Sequence, residues 1–291
     1  MDTAFPAAIS PSAFNALIGR PDAPLVLDVR RPPRFSESGW LVPTAQYCAP
    51  EDVAELARTQ PPRAAIVYCV YGHHVSVDAA RTLAAAGWDA RILEGGIEGG
   101  QPGEDDAAQV AAWRAAPAAR MRKRPELGVA GTAPSRWITR ERPKIDRVAC
   151  PWLVRRFIDP RAEFFYVPEA EVAAQARALG AIPYDVPDAP ITHAWERCSF
   201  DALLEAFALQ DPALDQLATI VRAADTSRLA LAPQAAGLLA ISLGLSRLHA
   251  DDDHAMLAAA LPVYDALYAW CRDGGAESHT WKAHDTPAAS A

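Results

Sequence analysis

The sequence of 291 residues lacks several features that mark large classes of proteins. It has no run of about 18 apolar residues, so no segment is expected to span a membrane. Its first residues, Met1–Pro6, have neither the charged start nor the apolar core of a signal peptide. Positive charge does not predominate, since the net charge is −8, which argues against general nucleic-acid binding. We expect a cytoplasmic protein that binds neither a membrane nor nucleic acid.

Cysteine is also scarce, with five residues at positions 48, 69, 150, 198 and 271 and no CxxC pair. An odd, scattered set of this kind provides no disulfide framework. The pattern is typical of free thiols in a reducing compartment. The length of the chain and its 51% hydrophobic content suffice for two domains, each with its own core.

Cys69 stands out among the cysteines because of its local sequence. An apolar run, Ala65–Tyr68, leads directly into it, and a short loop then leads into a stretch with helical periodicity. This pattern predicts a buried strand that ends at Cys69, followed by a helix from Ser76 to Ala86 with Ser76 as its cap. Backbone amides at a helix start favour negative charge, so the sequence predicts a nucleophilic thiolate. The alternative is a buried, inert cysteine.

Strands and helices alternate through the first hundred residues, which predicts a parallel sheet with helical crossovers. The further predicted elements are strands at Leu25–Val29 and Ala90–Leu93 and helices at Pro11–Ile18 and Glu104–Ala115. Side chains at the carboxyl ends of parallel strands gather at one edge of the sheet. Asp28 and Arg30 therefore join Cys69 there, either as an ion pair that orders the loop or as part of a binding site.

The composition changes in the middle of the chain. Residues 117–135 are rich in proline and glycine and carry a basic cluster, which predicts a solvated linker. The alternative is that the basic cluster meets a phosphate or an acidic partner. Two predicted strands, Trp137–Thr139 and Glu163–Val167, lie beyond it. The predicted helices of this second half are Pro168–Leu179, Ser199–Ala208, Pro212–Ala224, Pro233–Leu248 and Asp252–Arg272. The second half is therefore expected to be mainly helical.

A basic segment near the start of the second half is a candidate anion site. Placed on one helix, residues 145–157 form an apolar face, and Arg156 falls near its centre. A buried guanidinium must be paired, so Arg156 either meets a buried carboxylate or lines an anion site. The candidate anion-binding residues are Lys144, Arg147, Arg155 and Arg156.

Three potential metal ligands, His193, Glu196 and Cys198, lie within six residues, and Asp225 is a further candidate. A histidine with carboxylates suits Zn, Mn or Fe, and an added thiolate favours Zn. The sequence predicts a divalent metal bound by His193 and Glu196, with Asp225 or Cys198 as additional ligands. The alternative is a hydrogen-bonded histidine in the core. No nucleotide cofactor is expected.

Residues 10–100 resemble a single-domain rhodanese. The resemblance rests on four stretches in the family's order, namely Leu27–Arg30, Gly39–Ala45, Cys69–Gly72 before a helix, and Leu93–Gly96. It implies a sulfurtransferase in which Cys69 carries a persulfide. The residues that would bind an anionic donor such as thiosulfate are then Asp28, Arg30, Val70, Tyr71, Gly72, His73, His74, Val75 and Ser76.

The loop departs from the pattern of the rhodanese family in its charge. His74 and Val75 occupy the end of the loop, where the family often has Arg and then Ser, and the loop is one residue longer than expected. Enlarged loops of this kind resemble those of related phosphatases and arsenate reductases. Because histidine is cationic only when protonated, we expect weak or pH-dependent binding of oxyanions.

The second half, from about Trp137 to Gly274, resembles the C-terminal domain of the bacterial chromate resistance protein B family. The matching stretches are residues 142–160, 164–172, 193–204, 220–226 and 264–274. The resemblance implies a role in chromate resistance, with a metal or an oxyanion such as chromate as the ligand.

We therefore expect an α/β rhodanese-like domain with a parallel sheet (1–116), a linker (117–135), a mainly helical α+β domain (136–275) and a tail (276–291). The leading hypothesis is a sulfurtransferase that uses Cys69, coupled to a metal- or oxyanion-binding domain. One alternative is a non-catalytic chromate or metal sensor. Another is a thiol-dependent oxyanion reductase, in which Cys48 would be the resolving thiol.

Overall fold

The computed structural model describes residues 6–277, so most of the predicted tail and the start of the chain lie outside the described part. The strands in chain order are β1 (Ala8–Ile9), β2 (Leu25–Asp28), β3 (Trp40–Leu41), β4 (Gln46–Tyr47), β5 (Ala64–Tyr68), β6 (Asp89–Leu93), β7 (Met121–Arg122), β8 (Arg136–Arg140), β9 (Glu163–Val167) and β10 (Ile182–Pro183). The α-helices are α1 (Pro11–Asn15), α2 (Pro32–Glu37), α3 (Val53–Thr59), α4 (His74–Ala85), α5 (Ala107–Ala115), α6 (Asp146–Leu153), α7 (Val172–Leu179), α8 (Ser199–Ala206), α9 (Pro212–Asp225), α10 (Ala235–Leu248) and α11 (Asp253–Ala269).

The first half is built on five parallel strands in the order β1, β6, β5, β2 and β4. Its central strands are apolar runs, as expected for a sheet covered on both faces. All four residues of β2 are buried, and Asp28 at its end lies opposite Tyr68 at the end of β5. The predicted α/β sheet is confirmed, and Asp28 and Cys69 emerge at the same edge.

The second half consists mainly of helices with a small parallel sheet in the order β10, β8 and β9. The predicted helix over residues 145–157 is divided, because α6 ends at Leu153 and residues Val154–Ile158 form a π-helical turn. Trp152 of α6 is fully buried and packs against Phe200 of α8 and Tyr268 of α11. The predicted mainly helical α+β fold is confirmed.

Part of the segment predicted to be a solvated linker is buried. Strand β7 pairs in antiparallel fashion with β3, and the Arg122 amide also donates to the carbonyl of Phe207 in the second half (2.8 Å). Met121 is fully buried, and Lys123 is 9% exposed, with its ammonium 3.4 Å from the centre of the Phe35 ring. In this extended segment Met121 and Lys123 point to the same, buried side, although Lys123 is basic.

A continuous core joins the two halves. One cluster of buried apolar residues extends from Phe14 and Tyr68 in the first half to Trp137 and Trp152 in the second. Among the helices of residues 6–277, none has both the length and the apolarity needed to cross a membrane.

Candidate functional site

Cys69 lies at the carboxyl end of β5, in a loop that the following turn holds in place. The side chain is 5% exposed. The amide of Ile97 donates to the Cys69 carbonyl (3.2 Å), and the amide of Glu98 donates to the Val70 carbonyl (3.0 Å). Gly96 permits this close approach, because a Cβ atom there would lie 2.6 Å from the Cys69 carbonyl oxygen. The loop therefore has a fixed shape before any ligand arrives.

Ser76 contacts the thiol and is not the cap of the following helix. Helix α4 begins at His74, two residues earlier than predicted, because the extended backbone of His73 forms its start without a side-chain cap. Ser76 lies in the first turn, where its hydroxyl is 3.3 Å from the Cys69 sulfur and donates to the His73 carbonyl (3.0 Å). The serine is thus a direct neighbour of the candidate nucleophile.

A pocket of about 280 Å³ opens beside Cys69, and residues 70, 71, 73, 74 and 75 contribute to its wall. In the part of the chain that the structure describes, the backbone amides of residues 70–75 donate to no protein acceptor. Amides that converge at a helix start form an anion-binding concavity. The pocket can therefore hold an oxyanion against the sulfur.

Two adjacent histidines of this pocket have different neighbours. The Nε2 atom of His73 is 2.9 and 3.0 Å from the two carboxylate oxygens of Asp105, so this nitrogen carries a proton. The Nε2 atom of His74 is 3.4 Å from Nη2 of Arg31. Because a guanidinium only donates, His74 is the acceptor in this contact.

Asp28 and Arg30 form a buried ion pair. Asp28 is fully buried and Arg30 is 2% exposed. Arg30 Nη2 donates to one Asp28 oxygen (2.6 Å) and to the Trp40 carbonyl (2.9 Å). The same Asp28 oxygen also accepts a hydrogen bond from the Tyr68 hydroxyl (2.8 Å). Of the two roles left open by the sequence, these contacts favour the ordering of the loop.

A second cluster of ionisable groups lies in the other half of the protein, around the imidazole of His193. Its Nε2 atom is 3.2 Å from an oxygen of Asp185, 3.2 Å from one of Asp225 and 3.4 Å from one of Asp146. The ligand atoms of Asp146, Asp185 and His193 all lie within 4.8 Å of one another. Arg147 and Arg140 lie 3.4 and 3.8 Å from the other oxygen of Asp185. The carboxylate oxygens and the imidazole nitrogen that face one another are ligand types that suit a divalent cation.

Local structure holds Asp146 in this cluster. It begins α6, and its carboxylate accepts from the amides of Ser199 (2.6 Å) and Phe200 (3.0 Å) at the start of α8. The preceding residue, Ile145, has a φ of 37°, which is strained for a β-branched side chain. The Ser242 hydroxyl accepts from the Ile145 amide, and the Tyr264 hydroxyl donates to its carbonyl, so both contacts enforce the strain.

The pKa shifts in this cluster favour retention of protons. The carboxylates of Asp146, Asp185 and Asp225 raise the pKa of His193 to about 12. Burial, together with the neighbouring carboxylates, raises the pKa of Asp146. A bound cation would replace the proton on His193 as the partner of these oxygens.

The two halves of the chain match two different families. Residues 10–101 match the family described as "Rhodanese-like domain", and residues 137–271 match the family described as "ChrB, C-terminal domain". The chain joins a rhodanese-like domain to a ChrB C-terminal domain. The predicted resemblances to both families are confirmed.

One curated relative and two solved structures give the extent of the similarity. Protein ChrB of Cupriavidus metallidurans is 35% identical over 151 residues, which is 48% of this chain and 45% of that protein, so the chain spans about half the length of this relative. A rhodanese homologue of Thermus thermophilus is 30% identical over 32% of this chain and 98% of that chain, with a TM-score of 0.27. An As-Sb reductase of Leishmania major is 20% identical over 42% of this chain and 89% of that chain, with a TM-score of 0.30.

Glu196 and Cys198 of the ChrB C-terminal domain do not join His193 in the cluster. Glu196 is 79% exposed and pairs with Arg228 (3.0 Å). Cys198 is fully buried, ahead of α8, and burial raises its pKa well above the usual value for cysteine. The prediction paired His193 with its neighbours in the chain, but the turn at residues 194–197 points Glu196 to solvent, so residues distant in sequence take its place.

The four candidate anion-binding residues of the same domain do not converge. Arg156 forms a two-point ion pair with Asp265 (2.8 and 2.9 Å), which realises the structural alternative. Arg155 stacks over the ring of Phe164 (5.2 Å), and Arg147 lies 3.4 Å from Asp185. Lys144 is half-buried. Only Arg147 therefore borders the carboxylate cluster.

Sequence reasoning missed Asp146, Asp185 and Asp105. Asp146 lies on the inward, otherwise apolar face of its helix. Because a buried charge needs a partner, this position could have indicated from the sequence that Asp146 belongs to a site. Asp185 lies in a loop after β10 with a φ of 53°, and no periodic pattern in the sequence predicts the position of its side chain. The rhodanese-like match ends at residue 101, so Asp105 lies four positions beyond the part of the chain that the resemblance describes.

Proposed function

We propose that the rhodanese-like domain is a sulfurtransferase that carries sulfur on Cys69. The thiolate of Cys69 attacks the outer sulfur of thiosulfate, a sulfur–sulfur bond forms, and the bond to the sulfonate breaks. Sulfite leaves with the electron pair, and Cys69 keeps the outer sulfur as a persulfide. A nucleophile such as cyanide then removes that sulfur as thiocyanate and restores the thiolate.

The observation that supports this proposal is the run of backbone amides at residues 70–75. They find no protein acceptor within the described residues, and they belong to the loop that contributes to the wall of the pocket at Cys69. Such amides stabilise the charge of the donor and of the persulfide. The reductase alternative is less well supported. Burial raises the pKa of Cys48, the thiol it requires, to about 11.

The test is the formation of thiocyanate from thiosulfate and cyanide by the full chain. Wild type should turn over, Cys69→Ser should lose activity, and Cys48→Ser should retain it. Mass measurement should find one added sulfur on the peptide that contains Cys69. If wild type forms no thiocyanate and takes up no sulfur, the sensor alternative replaces this proposal. If Cys48→Ser is as inactive as Cys69→Ser, the reductase alternative gains support.

A second function is supported by the cluster at His193. We propose that Asp146, Asp185, Asp225 and His193 bind a divalent metal in the ChrB C-terminal domain, and that this site serves chromate resistance. Three carboxylate oxygens and one imidazole suit Mn, Fe or Zn. Zn would be favoured over Mn and Fe only if a thiolate joined the site, and Cys198 does not belong to the cluster.

The metal content of the purified, untagged protein tests this site. Wild type should hold about one ion per chain, and Asp146→Asn and His193→Ala should hold much less. Glu196→Gln is the matched control, because Glu196 is three residues from His193 but pairs with Arg228. Equal metal content in all four proteins would refute the site. Chromate tolerance of bacteria that express wild type or Asp146→Asn then tests its role in resistance.

A further inference from the structure

The pocket at Cys69 lacks the arginine that the resemblance to rhodaneses led us to expect in its loop. Arg30 borders the pocket, but its charge is matched by the buried carboxylate of Asp28. A dianionic donor needs a cation that is not already neutralised, so the source of that charge has to lie elsewhere in the pocket wall.

His73 does not provide a net positive charge. Its ring faces Asp105 at 2.9 Å and Glu104 at 3.9 Å, and both partners are carboxylates. Burial opposes ionisation of Asp105, but hydrogen bonds from the Gln101 amide and from His73 lower its pKa, so it stays anionic. The group formed by His73 and its two partners is therefore not cationic overall.

Arg31 meets the requirement. It borders the same pocket as Cys69, is exposed, and precedes α2. Within residues 6–277, no carboxylate forms an ion pair with its guanidinium, and its side-chain contact is with Nε2 of His74 (3.4 Å). The other exposed arginine of the pocket, Arg34, has Glu37 at 3.6 Å.

We infer that Arg31 binds the sulfonate of the sulfur donor and that His74 positions it, an inference that rests on the sulfurtransferase proposal. The arginine expected in the Cys69 loop is replaced by one from the loop after β2, which His74 holds over the pocket through Nε2. The site is therefore selective for donors with an anionic sulfonate, such as the dianion thiosulfate, over donors in which the corresponding group is uncharged.

Steady-state kinetics of the full chain with thiosulfate and cyanide test the inference. Arg31→Gln should lower kcat/KM for thiosulfate by about 10- to 100-fold, as expected for loss of a charged hydrogen bond, with kcat at saturating thiosulfate changed less than threefold. Arg31→Lys should recover part of the loss. With methanethiosulfonate, a monoanion, the loss in Arg31→Gln should be severalfold smaller.

Matched variants separate a role in binding from a general effect. Arg81→Gln removes an exposed arginine of α4 that pairs with Asp78 (3.7 Å), and it should leave kcat/KM unchanged. His74→Gln, which keeps a hydrogen-bond acceptor for Arg31, should lose less of the wild-type kcat/KM for thiosulfate than His74→Phe. If wild type is active and Arg31→Gln behaves like Arg81→Gln, the inference is refuted and the sulfurtransferase proposal stands. If wild type is inactive with both donors, the proposal itself fails, and the inference falls with it.

Discussion

The sulfur of Cys69 and the hydroxyl oxygen of Ser76 are 3.3 Å apart, across the loop between β5 and α4. The serine hydroxyl also donates to the His73 carbonyl, and it can turn from that carbonyl to the sulfur when the thiol loses its proton. A hydrogen bond donated by Ser76 would therefore stabilise the thiolate form of Cys69 more than its thiol form.

Replacement of this serine should slow reactions of the thiolate. We expect Ser76→Ala to reduce the rate of alkylation of Cys69 by iodoacetamide at pH 7 by about 3- to 10-fold, the effect of one hydrogen bond to a charged group. Thr82→Ala, also on α4, is the control, because the Thr82 hydroxyl donates to the Asp78 carbonyl and not to the thiol. Equal rates in the two variants would show that Ser76 does not assist the thiolate.

Cys69 should be the first of the five cysteines to react. Burial raises the pKa of Cys48 and Cys271 to about 11 and that of Cys150 and Cys198 well above the usual value. Limited labelling with iodoacetamide at pH 7, followed by peptide mass analysis, should place most of the label on Cys69. An even distribution over the five peptides would contradict an activated loop.

Metal binding at the His193 cluster should release about one proton per ion at pH 7.5. His193 has a pKa of about 12 among the three carboxylates, so it enters the reaction protonated and must lose its proton to bind a metal. Titration calorimetry of chelator-treated protein with Mn²⁺, in two buffers of different ionisation enthalpy, measures the number released. Binding with no proton release would place the ion away from His193.

The buried Lys123 should give a pH-dependent difference in stability. Burial, together with the nearby charge of Arg30, lowers its pKa to about 8 from 10.5, so the folded state holds the ammonium less favourably than the unfolded state. Relative to wild type, the free energy of unfolding of Lys123→Met should therefore be highest below pH 8. That relative free energy should fall by about 2–3 kcal/mol as the pH rises from 8 to 10.5, where the unfolded state binds more protons.

Denaturant unfolding of both proteins at several pH values measures this difference. Lys144→Met is the control, because Lys144 is half-buried and lies outside the β3–β7 pairing. A difference between Lys123→Met and wild type that stays constant between pH 7 and 10 would contradict the prediction.

The position of Cys69 could be predicted from the sequence because its determinants are local. An apolar run, a short loop and a helical period all occur within about twenty residues, and together they fix the cysteine at the end of a parallel strand. The exact start of α4 could not be predicted, because His73 begins it with extended backbone and no side-chain cap, which leaves no capping signal in the sequence.

The carboxylate cluster could be predicted only in part, since its members are distant in the chain. His193 and Asp225 were selected for their chemistry, and both lie in the cluster. Asp146 and Asp185 are brought to His193 by the packing of α6 and α8 and by the loop after β10, which no periodicity describes. Glu196 is close to His193 in sequence, but the turn between them directs the Glu196 side chain to solvent, where it pairs with Arg228.

The pairing of β7 with β3 shows one place where the chain should not be divided for expression. A fragment that ends at residue 116 would remove Met121 and Lys123, and it would leave the backbone of Trp40 and Leu41 as an uncovered strand edge. Bare edges of this kind recruit other chains and lead to aggregation. A fragment that carries the rhodanese-like domain should therefore extend through Val129, which is also buried, so that the edge keeps its partner.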